Sequence, residues 1–279
     1  MNGAVRFAAV ARLDLAEVMR SRWLGFLALL YGGLAAMFVL VGLRESEVLG
    51  FTGMGRVLLS LSNTLVLLIP LLALTGNGQV LTRAREDGTL ELILSHPIMR
   101  GEYFAAVSLV RYGVLTAPLL VLMPALAIYG RLVLGSAVSW SYVVRMLAVS
   151  AALGWTFVGI ALAVSAAARS QARATVYLLV IWVIGIALVD FGLIGMMLTW
   201  RLNAQSVFIL ACLNPVETAR MALLSSADPS LGVLGPVGFY LANRIGTAWL
   251  FALGIAWPTA VGSFAWYIAW KIFSQGDVL

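Results

Sequence analysis

Six long runs of apolar residues, at 24–43, 57–81, 104–130, 142–167, 174–199 and 246–270, set the rhythm of the chain. Each holds the ~20 residues that a helix needs to cross a ~30 Å hydrocarbon core. The polar breaks between them are short, with two exceptions. The first, 82–103, is the most charged stretch of the sequence. The second, 200–245, carries Pro215, Pro229 and Pro236 and an apolar segment, Val207 to Leu213, too short to cross. A short apolar helix in such a loop reads as re-entrant or interfacial. Ahead of the first run, Val5, Ala9, Leu13, Ala16 and Arg20 recur at helical spacing, which predicts an amphipathic helix lying in the interface. Arg6, Arg12, Asp14, Glu17, Arg20 and Arg22 interrupt that segment, so it is no secretory signal. The pattern predicts an all-α polytopic membrane protein: six spans in one transmembrane domain over residues 1–279, with no internal repeat.

Composition narrows the picture. The chain has 279 residues, 62% apolar and 11% charged, against about 45–50% and about 25% in soluble domains. That excludes a soluble enzyme, a disordered chain and a collagen-like chain. The net charge of +6 reads as loop charge facing an anionic leaflet rather than as a nucleic-acid surface. With the N-terminus inside, eleven basic residues fall on the cytoplasmic side and seven on the other. Both termini are then cytoplasmic. Lys271 is the only lysine, and Ile272 follows it. A phosphate-binding loop needs Gly-Lys-Ser/Thr, so any ATPase that drives this chain is a separate polypeptide. No cofactor is expected in the chain itself; ATP and Mg would sit on that partner.

Within 82–103, Asp87 or Thr89 can cap a short helix, Leu90, Ile93 and Leu94 give it one apolar face, and Pro97 ends it. Asp190 is the only acidic residue inside a predicted span. A charge at that depth costs roughly 2.5–3.5 kcal/mol, so it should face the bundle interior with a partner. Arg145 is the best placed by depth, Arg201 second. Asn214-Pro215-Val216-Glu217 reads as an N-cap, a first-turn proline and a capping-box glutamate, predicting a short helix over 215–224 on the outer face. Met196, Met197, Cys212 and Met221 are soft-ligand types without ligand spacing. The single His96 and single Cys212 offer neither a metal cluster nor a catalytic set. A non-catalytic subunit is expected.

Glu86-x-Gly88-Thr89-Leu90, the apolar residues after it, Ser95-x-Pro97 and Arg100 resemble the signature that follows the second span of ABC-2-type permeases. These are the membrane subunits of ATP-binding-cassette exporters. The resemblance implies that this segment is the coupling helix touching a cytoplasmic ATPase dimer, with the role falling on Glu86, Gly88, Thr89, Leu90, Glu91, Leu94, Pro97 and Arg100. It also implies a second copy of the chain and no nucleic-acid partner. Leu153-Gly154-Trp155-Thr156-Phe157, Arg169-Ser170-Gln171-Ala172-Arg173-Ala174, Asp190-Phe191 and Leu213-Asn214-Pro215-Val216-Glu217 with Arg220, in that order, are similar to the permeases that mature the copper centre of periplasmic nitrous oxide reductase. That narrower likeness implies a periplasmic β-helical copper-handling partner facing Asn214, Pro215 and Glu217. Competing readings are a generic ABC-2 exporter of a drug, lipid or peptide and an ion-coupled secondary transporter. Scarce intramembrane carboxylates and the lack of inverted repeats argue against the second.

Overall fold

The computed structural model describes residues 3–42, 54–133, 135, 138–189, 192, 195, 204–227 and 244–276. Among these there is no strand. Helix α1 spans Gly3–Arg20, α2 Trp23–Gly42, α3 Met54–Asn77, α4 Val80–Glu86, α5 Thr89–Leu94, α6 Arg100–Leu132 and α7 Trp140–Ala167. Helix α8, Gln171–Trp182, continues as a π-helical turn over Val183–Leu188. Helices α9, Ala204–Cys212, and α10, Pro215–Ala227, precede α11, Thr247–Gln275. Five helical segments are long and apolar enough to span: α2, α3 with α4, α6, α7 and α11. These are five of the six expected spans. The expected span 174–199 is helical as far as it is described, and most of its residues after Val189 lie outside the described residues.

Helix α7 is the centre of the bundle and packs on α3, α6, α10 and α11. Its tightest contact is with α11, and small residues permit it. A Cβ on Gly262 would lie 2.7 Å from the Thr156 Cα, and one on Gly159 would strike the Trp266 ring. The Trp155 and Trp266 rings therefore stack at 4.2 Å and 9°, and the Trp266 indole donates to the Trp155 carbonyl at 2.9 Å. Close backbone approach through small residues is how helices gain packing where lipid is as apolar as the side chains.

Helices α9 and α10 meet at 118°, as a re-entrant element would. Helix α10 packs into the bundle. Val216, Thr218, Ala219 and Ala222 are buried against α3, α7 and α11, and Gly254 of α11 leaves the room for Ala222.

Helix α1 turns Val10, Asp14 and Val18 inward. Two ion pairs strap it to α6. Arg111 makes three hydrogen bonds to the Asp14 carboxylate, the shortest 2.7 Å, and Arg6 meets Glu102 at 2.8 Å. Burial pushes the Asp14 carboxyl above its ordinary range, and Arg111 opposes that shift. The stripe Val5, Ala9, Leu13, Ala16 and Arg20 is the outward face of α1, and all five are exposed.

Candidate functional site

The loop from Arg85 to Arg100 holds two kinds of residue. Gly88 makes the turn between α4 and α5, with φ of 68°. This left-handed conformation costs a residue with a Cβ roughly 1–2 kcal/mol. Gly88 is also the N-cap of α5, and no side chain caps it. That corrects the expectation of an Asp87 or Thr89 cap: the Asp87 carboxylate turns back to Arg83 at 3.3 Å, and Thr89 is the first helical residue. Leu90 is buried, while Ile93 and Leu94 pack against the core from its edge. Glu91, Leu92, His96 and Pro97 point outward, with Leu92 65% exposed. Leu92 thus stands exposed beside Glu91 on α5, with His96 exposed just beyond the helix.

The flanking residues face the other way. The last carbonyls and first N–H groups of a helix lack intrahelical partners, and this loop supplies them for three helices. Arg85 donates to the Ala166 carbonyl at the end of α7, at 2.8 Å. Glu86 accepts from the Gln171 backbone N–H at 3.1 Å and from its side-chain amide, at the start of α8. Arg100 donates to the Ser274 and Gly276 carbonyls at the end of α11, both at 2.9 Å. In return the Ser165 hydroxyl of α7 accepts the Leu81 and Thr82 N–H groups that open α4, at 2.9 and 3.2 Å. The loop is thus bound to the ends of α7, α8 and α11 at once. The Arg100 bonds place the C-terminal end of α11 beside the loop, and the Arg6–Glu102 pair brings the start of α1 to the same end of the bundle.

Glu86 and Arg100 therefore act within the chain, whereas Glu91 and Pro97 lie on the open face. Arg85 and Ser165 escaped the sequence reading, and Gln171 entered it only as part of a motif, without its contact to Glu86. The unpaired termini of the neighbouring helices were the available signal, but spacing alone cannot say which helix ends meet.

At the other end, Asn214 does cap α10. Its Oδ1 accepts the Val216 N–H at 2.9 Å, while its Nδ2 donates to the Gly185 carbonyl in the π-turn at 2.6 Å. The capping box is replaced by an ion pair: Glu217 meets Arg220 at 2.8 Å, and the Asn214 N–H goes to the Ala211 carbonyl. Asn214 and Glu217 are buried and Pro215 is half-buried, so these side chains face the bundle rather than an external partner. Arg145 lies over the Phe251 ring, 5.4 Å from its centroid. Asp190, its expected partner, lies outside the described residues, as do Met196 and Met197. Met221 is buried with Ala211 and Leu250, and Cys212 packs beside them.

Asn214 separates capping from bridging. Asn214→Ser keeps an oxygen for the cap and should cost less than Asn214→Ala, which should lose about 1 kcal/mol more. Thermal unfolding of the two purified variants measures the difference.

Residues 8–270 match the family described as ABC-2 family transporter protein. The chain belongs to the ABC-2 transporter family. It is 29% identical to the probable ABC transporter permease protein NosY of Stutzerimonas stutzeri, over 89% of this chain and 92% of that protein. It is 27% identical to the protein of the same description from Pseudomonas aeruginosa, over 86% and 90%. An ABC-2 permease is a multi-pass membrane transport component of an ABC transporter. Membership implies a separate ATPase partner and an assembly that is typically dimeric.

Proposed function

We propose that this permease couples ATP hydrolysis by a cytoplasmic ATPase dimer to rearrangement of its own helices, through the loop Arg85–Arg100. One observation carries the reading: a single loop presents Glu91, Leu92 and His96 outward while its flanks hold the ends of α7, α8 and α11. Force delivered to α5 then reaches three helices through the Gly88 turn and the short connection before Arg100. The whole of 1–279 works as one transmembrane domain, paired with a second copy in a bacterial inner membrane, both termini cytoplasmic. ATP and Mg belong to the partner; this chain contributes no catalytic group.

The proposed task is copper-centre maturation of periplasmic nitrous oxide reductase. The ordered motifs and the two relatives described as NosY permeases support it. A periplasmic copper-handling protein would then meet the outer loops, though not through Asn214 or Glu217. Purification of the tagged chain from its native membrane tests the proposal. A nucleotide-hydrolysing chain should co-purify, and deletion of the permease should leave the reductase without its full copper centre. A deletion strain with fully loaded reductase would refute the maturation role and favour a generic exporter. Absence of any ATPase would refute the coupling role as well.

A further inference from the structure

We propose that the cavity between α1, the α3–α4 elbow, α5 and α6 is a phospholipid headgroup site selective for an ethanolamine headgroup. The cavity measures about 270 Å³ and is lined by Asp14, Glu17, Trp23, Arg83, Asp87 and Arg111, among others. Its charges are not interchangeable. Arg111 is held by three hydrogen bonds to Asp14, and Glu17 reaches it only at 3.7 Å, with a side chain 58% exposed. Arg83 engages Asp87 through Nε at 3.3 Å, and the Arg83 side chain is 65% exposed. The wall on α1 thus offers a carboxylate, and the wall on α4 offers the outer nitrogens of a guanidinium. A zwitterion with an ammonium and a phosphate satisfies both walls together.

Three carboxylates against two guanidiniums make the lining net negative, so a purely anionic headgroup meets repulsion and leaves Glu17 with only the shared, more distant Arg111 as counter-charge. A quaternary ammonium brings the charge but has no N–H to donate to Glu17. A primary ammonium does both.

The setting points to lipid rather than to a soluble zwitterion. Helix α1 carries Val5, Leu13 and Met19 on its outward face, each more than half exposed. Exposed apolar side chains on a basic amphipathic helix fit the headgroup–acyl boundary. Leu13 lines the cavity itself, so apolar surface and charged walls are continuous. Trp23 begins the first span and also lines the cavity. An aromatic ring there belongs at the level of the headgroups.

The experiment is native mass spectrometry of the full-length permease titrated with phosphatidylethanolamine, phosphatidylcholine and phosphatidylglycerol of matched acyl chains. Phosphatidylethanolamine should be retained about fivefold over the other two, the ratio expected of one added charge-assisted contact. Glu17→Gln should abolish that preference. Arg83→Gln should lower retention of all three phosphate-bearing lipids. Arg12→Gln, on the outward face of α1, should change nothing. Glu17 and Arg83 are exposed enough for both variants to fold, which an unchanged unfolding midpoint verifies. Equal retention of the three lipids by the wild type, or a preference that survives Glu17→Gln, would overturn the proposal. Displacement of the bound lipid by equimolar soluble phosphoethanolamine would overturn its lipid character.

Discussion

Gly262→Leu is expected to prevent stable assembly of the bundle. A Cβ at that position meets the Thr156 Cα and the Thr156 backbone nitrogen, at 2.7 and 2.9 Å. Backbone atoms cannot swing aside as a flexible side chain can, so α7 and α11 must separate. Separation undoes the Trp155–Trp266 stack, the Trp266 bond to the Trp155 carbonyl and the Thr156 bond to the Pro258 carbonyl together. Overpacking alone costs about 1–3 kcal/mol, and the lost contacts add to it, against a typical total stability of about 5–15 kcal/mol. Gly262→Ala should already lower the unfolding midpoint measurably, and Gly262→Leu should yield little monodisperse protein. Gly113→Ala is the control. A Cβ there meets nothing within 4 Å, so the change should be neutral or should stabilise α6 by up to about 1 kcal/mol. Size-exclusion profiles and thermal unfolding in the same detergent compare all three.

Loss of the loop's clamps is expected to have an equally large effect on function with little effect on partner binding. In Glu86→Ala with Arg100→Ala, the start of α8 and the end of α11 lose their holds on the loop. Hydrogen bonds to charged groups contribute about 1.5–3 kcal/mol each where they are shielded. Arg100 is half-buried, while Glu86 is exposed and should contribute less. Weakening the connection by about 1.4 kcal/mol changes a coupling equilibrium tenfold. The ATPase should therefore remain bound to this double variant, hydrolysing ATP, while the transport-linked output falls by about tenfold. Reductase copper loading in cells, set beside ATPase recovery from the same membranes, reads both quantities. If both fell together, the two residues would be docking residues after all.

These predictions mark what the sequence could and could not express. Apolar run length is a local property, and five spans are found where the runs place them. The outward stripe of α1 was legible because helical spacing alone sorts its residues. The helix after Asn214-Pro215 was legible because its cap is encoded by neighbours in the chain. Its burial was not, since that depends on Gly254 of α11, 32 residues beyond Ala222, leaving space for it. The same limit explains Glu86. Its motif announced the loop, but Gln171 lies 85 residues further on, and the meeting of α4 with α8 is a product of the whole bundle. Asp14 and Arg111, separated by 97 residues, form a pair that charge counting could not express.

The central claim is that the outward face of α5, and not its inward face, touches the ATPase. The chain's single cysteine allows a direct measurement. In a Cys212→Ser background, Leu92→Cys and Leu90→Cys would each be carried into native membranes and treated with a short thiol-to-amine crosslinker. Leu92 is 65% exposed and Leu90 2%, one on each face of the same helix. The account predicts a crosslinked permease–ATPase band from Leu92→Cys and none from Leu90→Cys. No ATPase adduct at Leu92→Cys, in membranes where the two chains co-purify, would contradict it.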